Sequence, residues 1–320
     1  MPAALGGGDG ALMPFTAPPP LPEWLARQLP VRRGAYVLES GEDAGRRLHF
    51  LDSSPEGGSP AARPVLLLHG NPAWSFLWRR VIAALPGYRC VAPDLLGLGL
   101  SSRLPRLADH TIGRHAHALA ELVERLDLRD AVLVGHDWGG LLGAVLGERL
   151  PGRIAGVVWT NTVVAWPRHP RGTAFHHFAR VPVVSTLAFR GLGFPQRHMR
   201  WVQGDRRSIR GEVARAYRWP LRTWADRVAP LALARLVPNG PDHPTMPALR
   251  RGEAWAHAFA GPVALVWGLR DPILARALPR HERAFPQAPV TRTEAGHFLQ
   301  EEVPEALAAA VEDVARRAAG

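Results

Sequence analysis

The chain has 320 residues, 47% of them hydrophobic, which is enough for one large core with room for an inserted subdomain. Its formal charge of +11 comes from basic side chains that are all arginine, scattered rather than gathered into a block. That pattern reads as the bias of a GC-rich coding sequence and argues against a nucleic-acid partner. A single cysteine, Cys90, excludes an intrachain disulfide framework and fits a small core residue in a reducing compartment. With no secretory signal pattern and no bilayer-length apolar run, a soluble cytoplasmic protein without a membrane partner is expected.

Residues 1–22 are Gly-, Ala- and Pro-rich and read as a disordered leader, with Met13 a second candidate start. Short strand-like runs at 35–38 and 46–51 suggest an edge hairpin. A buried strand at 64–68 ends at His69-Gly70-Asn71-Pro72, and helical spacing follows over 74–84. Another strand at 89–92 leads into Asp94 and the turn Gly97-Leu98-Gly99-Leu100-Ser101, then a helix over 112–126. The apolar run 131–134 is followed by Gly135-His136-Asp137-Trp138-Gly139-Gly140 and a helical pattern to 150, then a strand over 153–160. Between 163 and 256 the alternation stops, and Pro182, Pro195, Pro220 and Pro230 break several helical fragments. It resumes with a strand at 263–267, a helix at 273–285, a strand at 290–293 and a last helix over 304–318. Alternating strands and helices predict a mainly parallel, eight-stranded, doubly wound α/β sheet. The core takes residues 23–162 and 257–320, and 163–256 forms an inserted helical cap.

Strand, sharp turn and helix around Asp137 are the setting of a nucleophile elbow. Gly135, Gly139 and Gly140 let the backbone turn where a Cβ would clash. Asp137 at the tip also suits an ordinary helix N-cap. As a nucleophile, a carboxylate attacks saturated carbon and leaves an alkyl ester on itself. The leaving group must then be good: a halide, a strained epoxide oxygen or a lactone oxygen. In this setting the acid and the base follow the nucleophile in chain order. Asp271, after the strand ending at Trp267, and His297, after the next strand, occupy those places at carboxyl ends of strands. Asp271 can orient the imidazole and stabilise its cation, and His297 can take a proton from water. Each alone also fits a structural role, Asp271 as an N-cap and His297 as a buried loop histidine; together and in order they favour catalysis.

The stretches from Leu68 to Trp78 and from Gly135 to Gly140, with Asp271 and His297, resemble the haloalkane dehalogenase family of α/β-hydrolases. The resemblance runs from about residue 24 to the end. It implies an α/β-hydrolase fold in which Asp137 is alkylated and water activated by His297 cleaves the ester. It implies a halide site made by the Trp138 indole and the Asn71 amide, and an oxyanion hole made by the backbone N–H groups of Asn71 and Trp138. The partners implied are a small apolar substrate such as a halogenated alkane, water and halide; no metal or cofactor is called for, and no oligomeric state follows. Asn161 stands where one branch of the family has its catalytic Glu, which leaves Asp271 as the acid. Asn71, Trp138 and Asp271 together also resemble β-lactone decarboxylases of olefin synthesis, an alternative that the residues leave open. Epoxide hydrolases need cap tyrosines, and here only Tyr217 lies in the insertion. Fluoroacetate dehalogenases carry Arg where Trp138 stands. Trp166, Trp201, Trp219, Trp224 and Trp255 are expected mostly to pack the cap onto the core.

Overall fold

The computed structural model describes residues 14–54 and 63–319. Its strands are β1 (Phe15–Thr16), β2 (Arg33–Val37), β3 (Arg47–Asp52), β4 (Val65–Leu68), β5 (Cys90–Pro93), β6 (Ala131–Asp137), β7 (Ile154–Thr162), β8 (Val263–Gly268) and β9 (Val290–Thr293). The first helices are α1 (Glu23–Ala26), α2 (Arg79–Ala83), α3 (Ile112–Arg125) and α4 (Trp138–Arg149). Then come α5 (Ala174–Ala179), α6 (Val184–Thr186), α7 (Gly211–Arg218), α8 (Val228–Leu236) and α9 (Met246–Ala258). The last two are α10 (Leu278–Ala284) and α11 (Pro304–Ala319).

The strands form one sheet in the order β1-β2-β3-β5-β4-β6-β7-β8-β9. The first three pairings are antiparallel and those from β5 to β9 are parallel. The strand alternation of two residues splits the apolar strands between two cores. Val65, Leu67, Val132, Val134 and Val266 face the side of α11, where Leu307, Val311 and Val314 lie. Leu66, Leu68, Leu133, Leu265 and Trp267 face α4, with Leu142, Val145 and Leu146. Covering both faces explains why β4 and β6 read as unbroken apolar runs. α4 is apolar nearly all round and buried from Trp138 to Gly147, as a helix held between sheet and outer helices must be. Thr111 caps α3 by accepting from the Arg114 N–H. No helix among the described residues is long and apolar enough to cross a membrane.

Two details differ from the sequence reading. The sheet has nine strands rather than eight. The additional one, β1, falls in the expected leader: Phe15 and Thr16 pair with Tyr36 and Ala35, and Phe15 packs on Tyr36 and Phe50. Residues 1–13 of that leader, including Met13, lie outside the described residues. The second detail is α9, counted with the cap in the 163–256 range. It lies along α4, with Gly252 against Val145 and the Trp255 ring against Gly147, so it extends the helical layer over the sheet. The segment before it carries a small core of its own, built from Phe175, Phe178, Phe189 and Phe194 with Leu231 and Ala234.

Candidate active site

Asp137 ends β6 and starts α4 in a backbone conformation of φ 51° and ψ −122°. A non-glycine residue there is strained, and the surroundings hold it in place. A Cβ on Gly139 would lie 2.0 Å from the Leu68 carbonyl oxygen, so the helix start can sit this close to β4 only with glycine. Thr162 Oγ1 donates to the Asp137 carbonyl at 2.7 Å and ties the turn to β7.

The Asp137 carboxylate points back over the end of β4. Its Oδ1 accepts from the Asn71 N–H at 2.8 Å, and the Trp138 N–H also faces it. Gly70 allows this approach, since a Cβ there would lie 2.1 Å from Oδ1. The loop is fixed from below by His69. Its Nε2 accepts from the Leu95 N–H at 3.1 Å, so Nδ1 carries the proton and donates to the Gly70 carbonyl at 2.9 Å. Burial pushes His69 below the ordinary histidine range and keeps it neutral for that role.

Asp137 Oδ2 lies 3.9 Å from His297 Nε2, beyond direct hydrogen-bond reach. His297 Nδ1 meets Asp271 Oδ2 at 2.8 Å. Burial lowers the affinity of His297 for a proton, but the charge and hydrogen bond of Asp271, with Asp137, outweigh it and raise the imidazole pKa. Burial raises Asp271, and His297, the Ile273 N–H and Asn161 outweigh it, so Asp271 stays ionised. Asp137 is raised: burial dominates over the His297 charge and the two backbone amides. Asn161 donates to Asp271 Oδ2 at 2.6 Å and accepts from the Gly268 N–H at 2.9 Å. His136 Nε2 donates to the His297 carbonyl at 2.8 Å.

Asn71, Trp138, Asp137, His297 and Phe298 line a cavity of 160 Å³ closed on the other side by Phe175, Phe194, Trp201 and Ala234 of the inserted segment. The Trp138 indole N–H has no acceptor among the described residues and borders this space. Asn71 Nδ2 spends one hydrogen on the Pro230 carbonyl at 2.9 Å, leaving the second. The five residues singled out in the sequence therefore come together: Asn71, Trp138 and His297 around the Asp137 carboxylate, and Asp271 behind His297. His69, Asn161, Thr162 and His136, which hold them, were not singled out for those roles. The insertion's tryptophans divide. Trp255 packs on α4 and Trp219 on Trp24. Trp201 borders this cavity and Trp166 a second one, while Trp224 stacks with Arg190 at the surface. Tyr217 is buried away from the carboxylate and donates to Glu301 at 2.5 Å.

Residues 63–304 match the alpha/beta hydrolase fold family. The haloalkane dehalogenase of Mycobacterium marinum is 33% identical over 80% of this chain and 84% of its own. That of Psychrobacter cryohalolentis is 30% identical over 85% and 88%. The solved haloalkane dehalogenase of Bradyrhizobium elkani superposes with a TM-score of 0.71 at 25% identity, over 88% of this chain and 99% of its own.

Proposed function

The chain belongs to the haloalkane dehalogenase family of α/β-hydrolases, and from that premise we propose that it hydrolyses carbon–halogen bonds to an alcohol and halide through an ester on Asp137. One observation carries the reading. The Asp137 carboxylate has one oxygen on backbone amides and the other free beside His297 in a cavity that the Trp138 N–H also borders.

Oδ2 attacks the halogen-bearing carbon, the carbon–halogen bond breaks, and the halide leaves with its electron pair toward the Trp138 indole and the free Asn71 amide hydrogen. Neutral donors suit a large, weakly hydrated anion that must later depart. Burial strips water from the carboxylate, which sharpens it as a nucleophile. His297 then takes a proton from water, hydroxide adds to the ester carbonyl, and the Asn71 amide, already on Oδ1, holds the oxyanion together with the Trp138 amide. Asp271 stabilises the imidazolium, and collapse releases the alcohol. We read the segment from 163 to about 245 as the lid, and α9 as part of the core. Cytoplasmic residence, inferred from the lone Cys90, belongs to the same proposal.

The test is bromide release from 1-bromohexane. Asp137→Ala is expected to abolish it. His297→Phe is expected to stop after the first step and gain mass equal to the hexyl group. No bromide release from bromo- or iodoalkanes by the unaltered protein, with no adduct on the His297 variant, defeats the reading.

A further inference from the structure

A second cavity, of 330 Å³, shares Asp137, Trp138, Ile273 and His176 with the first and continues outward past Arg171, Arg276 and Arg280. Most arginines near the sheet are paired, as Arg79 is with Glu301 and Arg114 with Asp43. These three have no carboxylate within ion-pair distance among the described residues. Arg276 has a hydrogen bond to the Gly172 carbonyl at 3.0 Å, and Arg280, half-buried on α10, has no hydrogen-bond partner among the described residues. The carboxylate whose charge reaches Arg280, Glu253, is already held by the Trp166 N–H and Arg250, both at 2.5 Å. His176 adds a neutral donor where the cavities join. Its Nδ1 accepts from the Thr173 N–H at 3.0 Å, which leaves the proton on Nε2. Burial and then Arg180 and Arg276 push His176 down to about 4, so it remains uncharged.

The half-buried Arg280 guanidinium is costly without an anion, and the forked donors of all three, exposed in Arg171 and Arg276, match an oxyanion. Resting on the dehalogenase reading, we propose that this vestibule binds an anionic group, a carboxylate or an oxyanion of similar size, at the far end of the substrate whose halogenated carbon reaches Asp137. The preferred substrates are then ω-haloalkanoates rather than neutral haloalkanes. Arg280 is the central contact, with Arg171 and Arg276 at the rim.

Two readouts decide this. By calorimetry, octanoate should bind the protein at least about tenfold more tightly than 1-octanol, and Arg280→Gln should erase about tenfold of that preference. The exposed Arg171→Gln should lower it less, and the remote Arg316→Gln should leave it intact. In turnover, kcat/KM for 8-bromooctanoate over 1-bromooctane should fall in the same order. Equal binding of octanoate and octanol, or a preference that Arg280→Gln does not change, overturns the inference even if bromoalkanes are hydrolysed. Octanoate binding through Arg280 with no bromide released from any substrate leaves the vestibule site standing and removes the dehalogenase reading.

Discussion

Asn161 occupies the end of β7, where a carboxylate would place a second charge near His297, and instead clamps Asp271 to the Gly268 backbone. Removing the clamp has a predictable sign. Without the Asn161 donor, the Asp271 charge is less satisfied and interacts more strongly with the imidazolium, so the His297 pKa, already raised, rises further. In the proposed mechanism His297 is a neutral base, so Asn161→Ala should move the acid limb of the pH–rate profile to higher pH and lower kcat by about tenfold. A loss of stability with the limb unmoved would mean that Asn161 is only structural. Trp138→Phe keeps the backbone amide and deletes the indole N–H; it should slow bromide release by about a hundredfold. It should also weaken bromide binding, followed by quenching of tryptophan fluorescence. Unchanged bromide affinity would take Trp138 out of the halide site. Asp137, Asp271 and His297 could be picked out because strand-end positions in chain order are visible in sequence, and Asn71 and Trp138 because they sit in the quoted motifs. Asn161 and His69 could not, since their value lies in side-chain bonds to residues far away along the chain. The Thr160-Asn161-Thr162 run at a strand end was the one local signal. The unpaired state of Arg280 has no sequence signature at all, because pairing depends on where Glu253 and Arg250 fall in space.

The elbow works as an element because α4 starts against β4 with almost no gap. Gly139→Ala would put a methyl 2.0 Å from the Leu68 carbonyl oxygen, a backbone atom that cannot yield. It should cost about 1–3 kcal/mol in urea unfolding, as overpacking does. Gly70→Ala meets the Asp137 side chain instead, so it should abolish turnover while leaving the unfolding midpoint near that of the parent. Equal stability losses in the two would contradict this division between scaffold and site. The strands were legible because both faces of the parallel sheet are buried, which makes β4, β6 and β8 short apolar runs bounded by turn residues. The antiparallel hairpin of β2 and β3 was legible instead as two short strand-like runs close together in the chain. β1 was not, because two residues carry no period and pairing with Tyr36 and Ala35 comes only in the fold. The inserted segment was legible as an interruption rather than as helices. Its core depends on Phe175, Phe178, Phe189 and Phe194, spread over short helices broken by prolines, so no long stripe forms. The placement of α9 on the core turned on Gly252 and Trp255 meeting α4, a packing fit that the helical pattern of residues 246–258 alone does not contain.

Over the whole molecule, the histidines set how stability responds to acid. Burial pushes His110 and His281 down to about 4, and His115 and His136 down to about 3. In the unfolded chain each takes up its proton near the ordinary value of 6.5, whereas the folded chain refuses it until far lower pH. Between those values the unfolded state binds more protons, so stability rises with pH and is lost on acidification. His297 and Asp137 run the other way, since both are raised in the fold and each loses its contribution as pH rises. With His69, His176 and His243, which are also depressed, seven histidines outnumber the one raised. The depressed carboxylates, Asp94 and Asp271 among them, weaken stability only as pH falls below ordinary values of 3.8, or 4.5 for Glu121, so they leave the upper part of the window to the histidines. The urea midpoint should therefore drop steeply as pH is lowered from 6.5 toward 4. The drop should be shallower in a His110→Asn, His115→Gln double variant, because this buried pair meets ring to ring at 3.2 Å and burial outweighs the charges of Asp109 and Asp43 that would favour a proton on His110. A flat midpoint through that window, or a double variant with the parent's slope, would show that these rings are protonated without cost in the fold. The same measurement bears on the proposed mechanism, because the neutral His297 it calls for is favoured at the high-pH end of the window, where the fold is also firmest.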